Sequence, residues 1–130
     1  MNEVYDFLKK SGVYFLATLE GDQPRVRPFG TIDLFEGRLY IQTGKIKEVS
    51  KQMKQNNKVE ISAMVGDSWI RLTAEAELDE RIEAQQHMLD AYPSLKGMYK
   101  AGDGNTEVFY LKNCTAQICS FSASTKTFTF

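Results

Sequence analysis

Two short stretches hold the residues best suited to chemistry. The first is Pro24-Arg25-Val26-Arg27-Pro28-Phe29-Gly30, and the second is Tyr40-Ile41-Gln42-Thr43-Gly44-Lys45-Ile46-Lys47. Arginine suits bidentate contact with phosphate, and the alternation of a strand points Arg25 and Arg27 to one side. Thr43 offers a hydroxyl, and Gly44 lets a ligand approach the backbone closely. A helix is expected to start near Ile46. Helix N-termini carry partial positive charge and free N–H groups. Lys45 and Lys47 work against that dipole unless an anion sits between them. The pattern predicts an anion site, with the phosphate of a bound cofactor as the favoured anion. The competing reading is a set of surface charges on an edge strand.

Other chemistries are poorly supplied. The chain has one histidine, His87, and two cysteines, Cys114 and Cys119. That is thin for a zinc site or for a Ser/His/Asp or Cys/His set. On a helical wheel His87 lies opposite Ile82 and Leu89, which predicts a solvent-facing ring. Cys114 and Cys119 are an odd number of residues apart, so one strand would place them on opposite faces, and they read as small buried thiols rather than a disulfide. Neither a Gly-x-Gly-x-x-Gly fingerprint nor a Walker loop is present. An enzyme built from these residues needs a cofactor to carry the reaction.

The bulk numbers bound the rest. The chain has 130 residues, 42% hydrophobic and 25% charged, with a net charge of −1. One domain, 1–130, is expected, with no general attraction to nucleic acid. No apolar run is long enough to span a membrane. The start, Met1 to Lys10, is amphipathic and mixed in charge, unlike a secretory signal, so the cytoplasm is the expected compartment.

Elements must position the candidate residues. Asn2 is placed to cap a first helix with Val4, Phe7, Leu8 and Ser11 on one face. Val13 to Leu19 reads as a buried strand. Residues 25–32 alternate, with Arg25, Arg27, Phe29 and Thr31 on one side and Val26, Pro28, Gly30 and Ile32 on the other. Pro28 marks an edge or a bulge. Residues 33–37 read as a turn and 38–43 as a strand. The helix from about Ile46 to Gln55 has an apolar stripe of Ile46, Val49 and Met53, with Lys47, Lys51 and Lys54 on a solvated side. Strands follow at 58–64 and 69–78, joined by a Gly66-Asp67 turn. Trp69 heads the polar face of the second of these, where it fits an interface or ligand stack as well as plain packing. A helix over 81–92 is expected, capped by Asp79, with Ile82, Leu89 and Tyr92 buried. Strands near 107–112 and 115–121 complete a six- to seven-stranded antiparallel barrel with short helices. The tail, 122–130, reads as an extra edge strand or a disordered end.

These stretches resemble the pyridoxamine 5′-phosphate oxidase-like, FMN-binding split-barrel proteins. The resemblance runs from Val13-Tyr14-Phe15-Leu16-Ala17-Thr18 through Gly21 to Pro28, Tyr40 to Lys47, Lys51-Gln52-Met53 and Asn56-Asn57-Lys58-Val59 to Trp69-Ile70-Arg71. It implies a mainly β split barrel and a homodimer with FMN at the interface. By similarity, Arg27 and Lys47 hold the FMN phosphate with Thr43, and Arg25 and Lys45 are lesser candidates. Pro28 and Phe29 lie along the flavin ring, Gln42 borders the site, and Trp69 and Arg71 approach from the partner. The family often has Ser where Lys47 stands and Lys where Val49 stands. Pyridoxamine phosphate oxidases themselves are longer and carry a C-terminal arginine-bearing segment, whereas no arginine follows Arg81 here. The short form is similar to small flavoproteins grouped with nitroimidazole-resistance and general-stress proteins. The implied activity is electron transfer from NAD(P)H through FMN to a small acceptor. The alternatives are a non-catalytic FMN-binding or storage protein, and a heme- or deazaflavin-binding relative.

Overall fold

The computed structural model describes residues 1–130. Its elements are α1 (Asn2–Ser11), β1 (Tyr14–Glu20), β2 (Gln23–Phe29), β3 (Asp33–Phe35), β4 (Arg38–Gly44), α2 (Glu48–Gln55), β5 (Lys58–Val65), β6 (Ser68–Asp79), α3 (Ile82–Ala91), a 3₁₀ turn (Pro93–Gly97), β7 (Thr106–Ser120) and β8 (Lys126–Thr129). All neighbouring strands run antiparallel, in the order β2-β1-β5-β6-β7-β4-β3, with β8 added to β7. The ends of that path, β2 and β3, are joined only by the short link 30–32, so the barrel is split along that seam.

Alternation sets the two faces of the sheet. Leu16, Ile61, Ala63, Ile70, Leu72 and Ala116 point inward and are buried, together with Val4 and Leu8 of α1. The first strand differs from expectation. Val13 lies before it and Phe15 points outward, both half exposed, because β1 has a core on one side only.

Eight strands form instead of six or seven. Residues 33–35, expected as a turn, pair with β4. The two last strands merge into one fifteen-residue strand. Asn113, at φ 52, is where β7 accommodates one extra residue against β6 as a bulge, not a turn. Its amide also donates to Glu75 at 2.7 Å. The tail is ordered: β8 pairs with the second half of β7, and Cys114 and Phe130 exchange backbone hydrogen bonds of 2.7 and 3.0 Å. Both cysteines are free, and burial lifts the Cys114 thiol to about 11.

Three helix expectations change. Met1, not Asn2, is the cap residue of α1. Asp79 is the last residue of β6, and Arg81 occupies the cap position of α3, whose buried residues are Ala84, Gln85, Met88 and Leu89 while Ile82 is 52% exposed. In α2 the helix starts at Glu48, which leaves Ile46 outside it and 78% exposed.

Phe128 and Phe130 pack against the core. Deleting residues 125–130 removes both rings and uncovers the core beneath them and an edge of β7, and is expected to lower stability by at least about 2 kcal/mol in urea unfolding. An unchanged midpoint would show that β8 contributes nothing.

Candidate functional site

β2 is an edge strand, paired only with β1, which fits Pro28 having no N–H to donate. Its register places Arg25 opposite Thr18, Arg27 opposite Leu16 and Phe29 opposite Tyr14. Opposed residues share a face, and Tyr14, Leu16 and Thr18 are all buried. Arg25, Arg27 and Phe29 therefore point to the inner side, as alternation predicts. Val26 and Pro28 point outward, with Val26 68% exposed. Pro28 and Phe29 thus present their side chains to opposite faces of β2.

The two arginines have different partners. Arg25 is neutralised: its Nη2 lies 2.8 Å from Glu20 Oε1, and both side chains are half exposed. Arg27 has no carboxylate partner. Its Nη1 donates to the Leu16 carbonyl (3.2 Å) and to Thr18 Oγ1 (2.7 Å), and its Nη2 donates to Gln52 Oε1 (2.7 Å). The Thr18 hydroxyl in turn donates to the same Gln52 oxygen. Thr18 and Gln52 are buried. Burial, and then the nearby charge of Arg25, push the Arg27 pKa down. The result is a cation partly withdrawn from water and surrounded by neutral acceptors. Its Nε–H and one Nη2–H have no partner.

Thr18 and Gln52 were absent from the sequence-based site. Gln52 had a signal: it sits beside Val49 and Met53 on the inward side of α2, an unusual place for a polar residue.

α2 reaches this network because polar ties hold it at both sides. Besides Gln52, Ser50 Oγ donates to Glu107 Oε1 of β7, and Lys54 Nζ lies 2.7 Å from Glu107 Oε2. Glu107 is 8% exposed. Lys54 is thus the partner of a buried carboxylate rather than part of a solvated row, while Lys51 pairs on the surface with Glu48.

Lys45 and Lys47 stand at the N-terminal end of the same helix. Both are exposed, and Lys47 occupies the cap position with no side-chain cap. Thr43 and Gly44 belong to the end of β4, not to the helix. Gln42 and Thr43 are buried: the Gln42 N–H donates to Thr31 Oγ1 at 3.1 Å, and Thr43 stands opposite Glu107. A loop supports the lysine segment. The Asn105 carbonyl accepts from the Lys45 N–H at 2.7 Å, and a Cβ at Gly44 would lie 3.3 Å from Tyr99 Oη.

Trp69 does not join Arg27. It is on the outer face of β6, opposite Met64 and Cys119, with its ring 5.2 Å from that of Phe121. His87 is half exposed but not free: its Nδ1 is 2.6 Å from the buried Asp33 carboxylate, and its ring lies against Phe35.

A family model described as pyridoxamine 5′-phosphate oxidase matches residues 1–113. The chain belongs to the pyridoxamine 5′-phosphate oxidase family. A nimC/nimA family protein from Clostridium acetobutylicum is 49% identical, with a TM-score of 0.96 over 100% of this chain and 93% of that one. General stress protein 26 from Bacillus anthracis shares the fold at 14% identity and a TM-score of 0.72, over 98% of this chain and 97% of that one. So does a heme-binding protein from Mycobacterium smegmatis, at 16% identity and a TM-score of 0.71, over 98% of this chain but 56% of that one. No curated protein matches significantly. Membership in the oxidase family agrees with a split barrel of eight antiparallel strands with short helices. No helix is long and apolar enough to cross a membrane.

A single carboxylate organises the loop beneath Lys45. Asp103 accepts backbone N–H bonds from Thr106, Lys100 and Asn105, which hold its carboxyl down to about 2. A carboxyl lowered on folding stabilises above its unfolded value of about 4 and loses that contribution as pH falls through about 2. Amide protection at Asn105 and Thr106, taken relative to the intrinsic exchange rate at each pH, is expected to fall across that window. Constant protection down to pH 2 would contradict the assignment.

Proposed function

We propose that the protein is an FMN-binding flavoprotein that works as a homodimer and passes electrons from NAD(P)H to a small acceptor such as a nitroaromatic or a quinone. The observation that carries this reading is Arg27: a partly buried cation with neutral partners and two N–H groups to spare. A phosphate monoester accepts from a guanidinium fork and supplies the missing negative charge. Lys45 and Lys47 add positive charge at the start of α2, and Phe29 shares the inner face of β2 with Arg27. FMN bound there would supply hydride acceptance and release, chemistry that the side chains lack. Arg27 and Lys47 hold the phosphate in this reading, and Phe29 borders the ring.

The homodimer is supported by the outer face of the sheet. Phe15, Val26, Met64 and Phe121 expose half or more of their surface there, beside Trp69. Exposed apolar side chains gathered on one face mark an interaction surface. A second copy seated there brings its own Trp69 and Arg71 to the seam. Flavin is favoured over heme by the chain's single histidine, which sits on α3 against Asp33 and Phe35 rather than beside Arg27.

Replacing Arg27 by Ala is expected to weaken FMN binding by about 1–3 kcal/mol in a flavin fluorescence titration. Arg25→Ala is expected to cost less than about 1 kcal/mol, because Glu20 already neutralises Arg25 at the surface. Equal losses would place the phosphate elsewhere. Anaerobic NADH or NADPH should then bleach the bound flavin; a flavin that stays oxidised with both would make the protein a flavin carrier without turnover.

A further inference from the structure

We propose that Gln52 sets the charge selectivity of this site: by meeting Arg27 with an amide instead of a carboxylate, it reserves the guanidinium charge for a phosphate group on the ligand. The inference rests on the flavin reading above and goes beyond it, since it assigns selection between phosphorylated and unphosphorylated forms of one ligand to a single residue.

The argument starts from a comparison inside β2. Arg25 and Arg27 are two residues apart on one face. Arg25 is met by Glu20, so its charge is spent within the protein. Arg27 is met at a similar distance, 2.7 Å, by the Gln52 oxygen. That oxygen also accepts from Thr18. Glutamate is nearly isosteric with glutamine, and its carboxylate could accept both of these hydrogen bonds. Hydrogen bonding alone therefore does not require an amide at this position. What the amide changes is the net charge of the pocket. Gln52 is 5% exposed, so little water screens a charge placed there. With glutamine, the Arg27–Thr18–Gln52 cluster carries a charge of +1. With glutamate it would be neutral, and an arriving phosphate would meet a carboxylate held against the same guanidinium.

Three probes test this: FMN, riboflavin and inorganic pyrophosphate. Riboflavin presents the same ring and ribityl chain as FMN without the phosphate. Wild-type protein is expected to prefer FMN to riboflavin strongly. Gln52→Glu is expected to lose FMN affinity by at least about tenfold while riboflavin affinity changes little. Thr18→Asp brings a carboxylate to the other side of Arg27 and should act in the same way, which keeps the test intact if Gln52→Glu does not fold. Gln52→Leu removes the oxygen without adding charge and should retain the preference for FMN. Equal loss of FMN and riboflavin, or no loss in either carboxylate variant, would overturn the proposal. If wild-type protein binds neither flavin, thermal stabilisation by pyrophosphate decides. Stabilisation present in wild type and absent in Gln52→Glu keeps the charge selectivity and discards FMN. The same response in both proteins discards the selectivity too.

Discussion

A guanidinium partly withdrawn from water needs acceptors for its N–H groups, and Arg27 finds them in a strand carbonyl, a hydroxyl and an amide. Much of the site's geometry follows from meeting that need without a carboxylate. β2 must stay at the sheet edge with Arg27 turned inward. β1 must offer Thr18 in register. α2 must lie close enough for Gln52 to reach across, which is why its ties to β7 matter. Ser50 and Lys54 converge on Glu107, a carboxylate taken out of water and satisfied from two sides. Removing either partner would leave part of that charge unmet, so the ties fix the helix more firmly than surface pairs such as Lys51–Glu48 could.

On the proposed reading, this arrangement would let a small barrel hold a flavin with few reactive side chains. The sheet supplies rigidity and a line of inward positions. The helix closes one end and carries polar groups to the seam. Two lysines wait where the chain enters the helix. Nothing among these residues is a nucleophile or a poised acid, so in the proposed flavoprotein the chain would contribute placement, charge and exclusion of water.

The fold was largely legible because period-two patterning survives tertiary context. The faces of β2 over Arg25 to Phe29 and the turn at Gly66-Asp67 stand as read. The misses have local causes. The break expected between strands 107–112 and 115–121 is instead a bulge inside one strand, with Asn113 at positive φ. Ile46 fitted the helical stripe in spacing, but the helix begins two residues later. The three-residue β3 is too short to show any alternation. In the site, Arg27 was visible as a type at a spacing. Its partners were not, since the meeting of Thr18 and Gln52 joins residues 34 apart and depends on how α2 packs on β1. Nor could spacing reveal that Arg25 is neutralised and Arg27 is not.

Sedimentation velocity followed at two wavelengths, one for protein and one for flavin, tests the central claim most directly. After FMN is added and the excess removed, the account predicts that all the flavin absorbance travels with the protein in a single dimer boundary. A protein boundary that moves without colour, or a coloured boundary of monomer size, would contradict it.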